Sequence, residues 1–215
     1  MEGPSIFDLK KARAAQELLS KKVLEEHTGG AIETVCGMDI SYRLERGAGA
    51  AVVLSYPDLK IIETKVVFRP VAVPYIPTFL AFREMTFFTA LMHRLEKRPD
   101  VFMIDGHGIY HPAFCGSASH FGVVFDVPTV GVAGGLMGLE GEVIDGGTIL
   151  LKGRRVGVAV RGGRRGVYVS VGHKMSLDLA ASIVRSCIRG HRKPEPLFLA
   201  DSISRGAIRG DVHGE

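Results

Sequence analysis

The sequence predicts an α/β fold in which a mixed sheet, an antiparallel meander followed by parallel strands, is flanked by helices. Two patterns carry this prediction: three consecutive strand-like stretches over 34–73, and short apolar strands that alternate with helices over 78–190. With 215 residues, 46% of them hydrophobic, the chain can bury a full core. Because it contains no linker, repeat or low-complexity segment, we expect a single domain over 1–215.

The first half of the chain changes from a helical to an extended period. Residues 6–26 carry an apolar stripe with helical spacing. Three predicted strands follow, joined by turns rich in Gly, Arg, Pro and Asp: 34–42, 49–58 and 59–73. A helix is predicted over 78–98, because it starts after Pro77 and ends in basic residues that suit its C-terminal dipole.

The second half alternates strands and helices. The short apolar run 100–105 is typical of a buried strand and ends at Asp105. The next predicted elements are a helix over 117–127, a strand over 129–133 and a group of strands with basic turns over 147–172. The last predicted helix, 176–190, has Ser176 as a cap and Gly190 as a stop.

Charge and cysteine content narrow the function classes. A net charge of +4 and a pI near 9.0 allow a polyanionic partner such as nucleic acid without requiring one. The three cysteines form no CxxC pair, which argues against a disulfide framework and a zinc site. The chain has no apolar run of about 18 residues and its first residues are polar, so we expect no membrane partner and a cytoplasmic location.

Two aspartates stand where a carboxylate is costly to bury. Asp39, in "GMDIS", and Asp105, in "FMIDG", are both flanked by apolar residues. For each one alone, a hydrogen-bonded structural aspartate or a turn cap is the more common explanation. If their strands are neighbours, however, the carboxylates converge, and oxygen ligands without Cys or clustered His indicate Mg²⁺ or Mn²⁺. This combination predicts a phosphoryl-transfer site.

A proline-stiffened loop precedes the helix over 78–98. Pro74 and Pro77 bracket Tyr75 and Ile76 and favour extended geometry. From this stretch alone, Tyr75 is either an aromatic wedge or a side chain that packs on the surface of a strand-to-helix connection.

Seven motifs, taken together and in order, resemble those of endonuclease V, a family of deoxyinosine-directed nucleases with an RNase H-like fold: "GMDIS", "PYIPTFLAFRE", "IDGHGIYHP", "ASHFGV", "PTVGVA", "VGHKMSLDLA" and "PEPLFLAD". The resemblance spans roughly 34–201. It implies DNA repair by cleavage of the second phosphodiester bond 3′ to a deaminated adenine, with Mg²⁺ as the cofactor and Mn²⁺ able to substitute. The implied partner is deoxyinosine-containing DNA or, as in some members of the family, inosine-containing RNA. We expect the protein to be a monomer.

The same resemblance implies a set of catalytic residues: Asp39, Glu84, Asp105, His111 and Asp201. Of these, Asp39 and Asp105 match the metal-binding aspartates. His111 matches an active-site histidine, although the residues alone explain it equally well as a surface histidine. The implied wedge consists of Pro74, Tyr75, Ile76 and Pro77, with Tyr75 at its tip.

Base selection and phosphate contact complete the expected site. Hypoxanthine lacks the 2-amino group of guanine, so a tight pocket would discriminate by clash. The candidates for its walls are Leu80, which helix core explains as well, Gly108 and Gly116. The candidates for phosphate contacts are Arg83 and Lys174.

One departure from the family keeps alternatives open. Gly134 stands where many relatives place a lysine, so Lys174 or the basic turn Arg164–Arg165 is expected to substitute as a phosphate partner. A relative that binds inosine or distorted DNA with little cleavage is one alternative. Another is an RNase H-like nuclease that is specific for nucleic-acid structure.

Overall fold

The computed structural model describes residues 7–137, 141–143, 147–160 and 166–210. Within these ranges, five helices surround one sheet: α1 (Leu9–Ser20), α2 (Leu80–Met92), α3 (Ser117–Phe125), α4 (Leu177–Ser186) and α5 (Glu195–Gly210). The sheet strands are β1 (Thr34–Arg43), β2 (Arg46–Ser55), β3 (Ile61–Pro70), β4 (Val101–Asp105), β5 (Thr129–Ala133), β6 (Gly141–Val143), β7 (Thr148–Leu151), β8 (Arg154–Val160) and β9 (Val167–His173). None of the described helices is long and apolar enough to cross a membrane.

The nine strands form a mixed sheet in the order β3-β2-β1-β4-β5-β9-β8-β7-β6. The chain enters through the antiparallel meander β1-β2-β3, then β4 and β5 add parallel to β1. The strands β9, β8, β7 and β6 continue the sheet antiparallel to one another and to β5. The predicted fold class, a meander followed by parallel strands with flanking helices, is confirmed.

Two hydrophobic clusters lie on opposite faces of the sheet. One cluster contains the apolar residues of α4 and α5 together with alternate residues of the strands, such as Val35 and Met103. The other contains α2 and α3, which pack on the intervening residues, such as Cys36 and Phe102. This alternation is the period-two pattern of strands that are covered on both faces.

All four predicted helices are shorter than expected. Helix α1 covers 9–20 rather than 6–26, because the Asp8 carboxylate accepts hydrogen bonds from the N–H groups of Lys10 and Lys11 and so caps its start. Helix α2 ends at Met92 rather than 98, since the segment after it folds back on the meander, where Arg94 donates a hydrogen bond to the Val66 carbonyl. Helix α3 ends at Phe125 rather than 127, and helix α4 ends at Ser186 rather than 190.

Helix α5 was not among the predicted elements, although it carries Asp201. Its signal is present in the sequence: Pro194 precedes its start, Glu195 lies in its first turn and Arg209 in its last. Its buried positions repeat every three to four residues: Leu197, Ala200, Ser204 and Ile208.

Gly37 determines how closely α5 approaches β1. An ideal Cβ built at Gly37 would lie 2.1 Å from the carbonyl oxygen of Pro196, in the first turn of α5. No side chain fits there, and the close approach carries Asp201 to the strand that bears Asp39.

Candidate active site

Three carboxylates converge at the centre of the sheet. Asp39 lies on β1, Asp105 ends β4 and Asp201 lies on α5, and one oxygen from each falls within 4.8 Å of the others. The parallel pairing of β1 with β4 places Met38 opposite Ile104, so the next residue of each strand is an aspartate at the same level. The condition on which the sequence prediction depended, that these strands are neighbours, is therefore met.

Burial gives this cluster unusual electrostatics. Asp39 is only 7% exposed, and its Oδ2 accepts a 2.7 Å hydrogen bond from the Ser204 hydroxyl of α5. Burial, and then the charge of Asp105, raise the pKa of Asp39 well above its ordinary value. Three carboxylates at this separation repel one another unless a cation lies among them.

Lys193 supplies such a cation and was missed in the sequence. Its Nζ lies 2.6 Å from Oδ2 of Asp105 and 3.2 Å from Oδ1 of Asp201. Burial alone would lower the pKa of Lys193, but the charges of Asp105, Asp39 and Asp201 raise it overall. On the outer side, Arg205 Nη2 lies 2.8 Å from Asp201 Oδ1. The one signal in the sequence was the position of Lys193 directly before "PEPLFLAD".

Glu84 is buried beside the cluster. Burial raises the pKa of its carboxyl to about 8; a hydrogen bond with Ser117 opposes this shift, and the charges of Asp105 and Asp39 add to it. Among the described residues, Oε2 of Glu84 finds no hydrogen-bond partner. An unpartnered buried oxygen next to three carboxylates is a donor set that suits a hard cation such as Mg²⁺, so these residues fit the expected metal.

A cavity of about 230 Å³ opens next to the carboxylates. Four predicted residues line it: Tyr75, Leu80, His111 and Gly116. The other lining residues are Thr78, Ala81, Gly106, His107, Ser117, Leu136 and Met137. Tyr75 is 67% exposed, on the loop between β3 and α2 that also contains Pro74, Ile76 and Pro77.

Gly108 does not line this cavity. Its N–H donates a 2.8 Å hydrogen bond to the Ser170 hydroxyl, and an ideal Cβ there would lie 1.9 Å from the carbonyl oxygen of Val171. Gly108 therefore seats the loop after β4 on β9, and the structure does not bring it to the pocket. Gly116 is similarly crowded, with its ideal Cβ 2.3 Å from the His107 oxygen, but it does form part of the cavity wall.

His111 holds the backbone of Thr78. Its Nδ1 accepts from the N–H of Ala113, so Nε2 carries the proton and donates a 2.8 Å hydrogen bond to the Thr78 carbonyl. Burial lowers the pKa of His111 to about 4, which keeps the ring neutral. Both ring nitrogens form hydrogen bonds. His111 is only 2% exposed, so the alternative of a surface histidine is wrong.

The two predicted phosphate contacts, Arg83 and Lys174, both have protein partners in the structure. The Arg83 guanidinium stacks over the Tyr42 ring at 4.2 Å and donates to the Val73 carbonyl. The Nζ of Lys174 lies 2.6 Å from a carboxylate oxygen of Asp126. The residue before it, His173, pairs with Thr129 at the start of β5. Asp105 pairs with Val132, near the opposite end of that strand. The structure therefore does not bring Lys174 to the carboxylates, and Arg164–Arg165 lies outside the described residues.

Arg192 fills the space beside Gly134. An ideal Cβ at Gly134 would lie 3.3 Å from both Nη1 and Nη2 of Arg192, whose Nε donates to the Gly166 carbonyl. The end of β5 thus has a guanidinium from the α4–α5 loop where a side chain at position 134 would stand.

A second cavity, of about 390 Å³, has a basic lining and is called the basic cavity. It is lined by Ser41, Tyr42, Arg43, Arg205, Ile208 and Arg209. Arg205 also contacts Asp201, so one residue of the cavity wall reaches the carboxylate cluster.

A mixed sheet with this strand order, a meander followed by parallel strands, and acidic residues on its central strands defines an RNase H-like protein with a nuclease-type site. The family description "Endonuclease V" matches residues 16–202, and the chain belongs to this family of phosphodiester-cleaving nucleases. Endonuclease V of Thermofilum pendens is 39% identical over 97% of this chain and 93% of its own length.

Solved structures agree with this assignment. The catalytic domain of human endonuclease V has a TM-score of 0.87 and 31% identity, covering 95% of this chain and 97% of that one. Ciona intestinalis endonuclease V, in complex with a 24mer DNA containing an inosine followed by a ribo-adenosine, has a TM-score of 0.83 and 29% identity, covering 94% of this chain and 98% of that one.

Proposed function

We propose that this protein is a Mg²⁺-dependent endonuclease that cleaves the second phosphodiester bond 3′ to deoxyinosine in DNA, with Mn²⁺ able to substitute. The observation that carries the proposal is the position of the three-carboxylate cluster beside a cavity with an exposed aromatic at its mouth. The inosine-containing DNA bound by the Ciona relative supports the substrate. The role is the repair of deaminated adenine by a single-domain monomer in the cytoplasm.

In this proposal Asp39, Asp105 and Asp201 hold the metal, with Glu84 next to them. The metal, when bound, supplies Lewis-acid stabilisation of the phosphate and a water of lowered pKa. Ser204 fixes the rotamer of Asp39 through its 2.7 Å hydrogen bond, so the carboxylate is oriented before a ligand arrives. Glu84 must lose its proton to serve as a ligand, since its pKa is about 8 in the metal-free protein.

The cavity is the proposed site for the base. Burial lowers the pKa of His107 to about 4, so the cavity wall carries neutral groups and suits an uncharged base. Crowded backbone at Gly116 leaves no room for expansion, and the 2-amino group of guanine would be rejected by clash. Tyr75, on its proline-stiffened loop, is the proposed wedge that fills the space left in the duplex.

The basic cavity supports a nucleic-acid partner. Arg43, Arg205 and Arg209 line it together with Tyr42, directly beside the proposed metal ligands. Guanidinium groups suit phosphate oxygens because they bind them in a bidentate manner, and a strand that reaches Asp201 would place a phosphate within this cavity.

The test uses end-labelled duplexes with one deoxyinosine or none, with Mg²⁺, Mn²⁺ or EDTA. Metal-dependent cleavage at the second bond 3′ to deoxyinosine alone is the expected result. Tight binding without cleavage would favour the inosine-binding alternative, and cleavage of flaps or mismatches without deoxyinosine would favour the structure-specific nuclease. An RNA strand with one inosine tests the activity on RNA. The reason for including it is that the DNA bound by the Ciona relative contains a ribo-adenosine after the inosine.

A further inference from the structure

Lys193 occupies the position that a cation bound by the carboxylates would take. Its Nζ bridges Asp105 and Asp201 at 2.6 and 3.2 Å, and its side chain is 24% exposed. The oxygens that it contacts, Oδ2 of Asp105 and Oδ1 of Asp201, belong to the three residues that could hold a metal ion. A metal and the ammonium cannot both lie against these oxygens, because two positive charges would then stand about 3 Å apart with few ligands between them.

The ammonium of Lys193 can move away from the carboxylates. Lys193 lies on the loop between α4 and α5, and its partly exposed four-carbon stem allows Nζ to move toward solvent. Solvent is the side from which a nucleic-acid strand must reach the carboxylates. A lysine is suited to such a move, since its ammonium needs no fixed plane and contacts a phosphate as a compact charge.

The other described residues near the cluster do not supply a cation that could contact the phosphate in place of Lys193. Gly134, at the end of β5, has no side chain, and the neighbouring Arg192 is held by the Gly166 carbonyl. Arg205 touches Asp201 alone, from the side of the basic cavity. Within the described part of the chain, Lys193 is the cation that contacts two members of the carboxylate cluster.

We propose that Lys193 is a further catalytic residue with two positions. In the metal-free protein its ammonium neutralises Asp105 and Asp201; when a metal takes this place, the ammonium moves to a non-bridging oxygen of the scissile phosphate and stabilises the charge that develops there. This inference rests on the proposed function.

The first measurement needs no nucleic acid. Mn²⁺ binding is followed by calorimetry for the wild type, Lys193→Met and the control Lys65→Met. Lys65 is a matched control because its Nζ also bridges two carboxylates. It lies 3.0 Å from Oε1 of Glu63 and 3.2 Å from Oε1 of Glu96. We expect Lys193→Met to bind Mn²⁺ roughly tenfold more tightly, since no ammonium must be displaced, and Lys65→Met to match the wild type. An unchanged or weaker affinity in Lys193→Met would overturn the proposal.

The second measurement is single-turnover cleavage of the deoxyinosine duplex at saturating Mn²⁺. We expect Lys193→Met to be slower than the wild type by about 10- to 100-fold, the scale of one lost charge-stabilising donor, despite its tighter metal binding. An unchanged rate would overturn the move to the phosphate. If thermal melting shows that Lys193→Met does not fold, Lys193→Gln replaces it in both assays.

The two proposals fail in different ways. A wild-type protein that cleaves no deoxyinosine duplex would overturn the proposed function, and with it the catalytic role of Lys193. The Mn²⁺ affinities would still decide whether Lys193 holds the place of the metal, because that measurement does not depend on a substrate.

Discussion

At the scale of single residues, Thr78 shows how the pocket is held in shape. Its φ is +71°, a backbone conformation that is unfavourable for any residue other than glycine and especially for a β-branched one. Three side chains hold it there: Arg13 bonds its hydroxyl, and Gln16 and His111 both donate to its carbonyl. The loop that carries Tyr75 is therefore anchored at its end by α1 and by the loop after β4.

A rigid anchor makes the wedge testable at Tyr75. We expect Tyr75→Ala to weaken binding of a deoxyinosine duplex by about 1–3 kcal/mol, the scale of one aromatic–base stack, with a smaller effect on a single strand, which needs no opening. Phe68→Ala is the control, because Phe68 is also a partly exposed aromatic but lies on the edge strand β3. Equal losses on duplex and single strand would rule out the wedge.

His120 gives a pH dependence with a defined sign. It is 7% exposed, against the edge of the Phe82 ring, and burial lowers its pKa from 6.5 to about 4. Between these values the unfolded chain binds a proton that the folded chain does not, so this contribution to stability is full above pH 6.5 and is lost as the pH falls toward 4.

Replacing this histidine should therefore flatten the acid limb of the stability curve. Over that range we expect His120→Phe to lose less unfolding free energy than the wild type, by up to about 3 kcal/mol. Urea denaturation at about pH 7 and about pH 4.5 measures both losses. Parallel pH curves for the two proteins would contradict the assignment of a neutral, buried imidazole.

At the scale of elements, the docking of α5 on β1 builds the carboxylate cluster. The helix brings Asp201 and Ser204 to Asp39, and it can do so because Gly37 has no side chain. Packing at one glycine and the proposed metal site, about one turn further along the helix, are thus linked.

We expect Gly37→Ala to disturb both properties. A methyl group there must push back the Pro196 carbonyl, which overpacking data place at about 1–3 kcal/mol of lost stability, and the shift of α5 should weaken Mn²⁺ binding. Gly206→Ala, in the same helix, has open space around its Cβ and should be neutral or stabilising. If Gly37→Ala binds Mn²⁺ with wild-type affinity, the docking of α5 at Gly37 does not control the metal site.

The elements also show what the sequence could predict. The acids on β1 and β4 were predictable because apolar neighbours marked their strands as buried and a parallel pairing aligns them. Lys193 was not, since its contact with Asp105 depends on where the α4–α5 loop returns to the sheet. Lys174 illustrates the same limit: its sequence neighbourhood resembles a family motif, yet the register of β9 against β5 places it at the end of β5 opposite the one that pairs with Asp105.

At the scale of the whole molecule, several arginines lie close to residues of the acidic cluster. Arg43, Arg205 and Arg209 line the basic cavity, and Arg192, which precedes Lys193 in the chain, lies against Gly134. These arginines offer positive charge to a nucleic-acid strand that reaches the cluster.

This arrangement predicts a salt effect at Arg209. We expect Arg209→Ala to weaken binding of deoxyinosine and undamaged duplexes by the same factor and to reduce the slope of log affinity against log salt by about 1. Lys97→Ala is the control, because Lys97 is exposed just before β4, at the end of that strand opposite Asp105. An unchanged slope would show that the basic cavity does not meet a phosphate.

The central claim is that Asp39 and Asp105 hold a metal that cleaves deoxyinosine-containing DNA. The most direct test is single-turnover cleavage of a duplex with one deoxyinosine, with Mg²⁺ or EDTA, by the wild type, Asp39→Ala and Asp105→Ala, with thermal melting measured on each protein. The account predicts Mg²⁺-dependent cleavage by the wild type and none by either variant, although both variants remain folded. Mg²⁺-dependent cleavage by a folded Asp39→Ala or Asp105→Ala protein would contradict it.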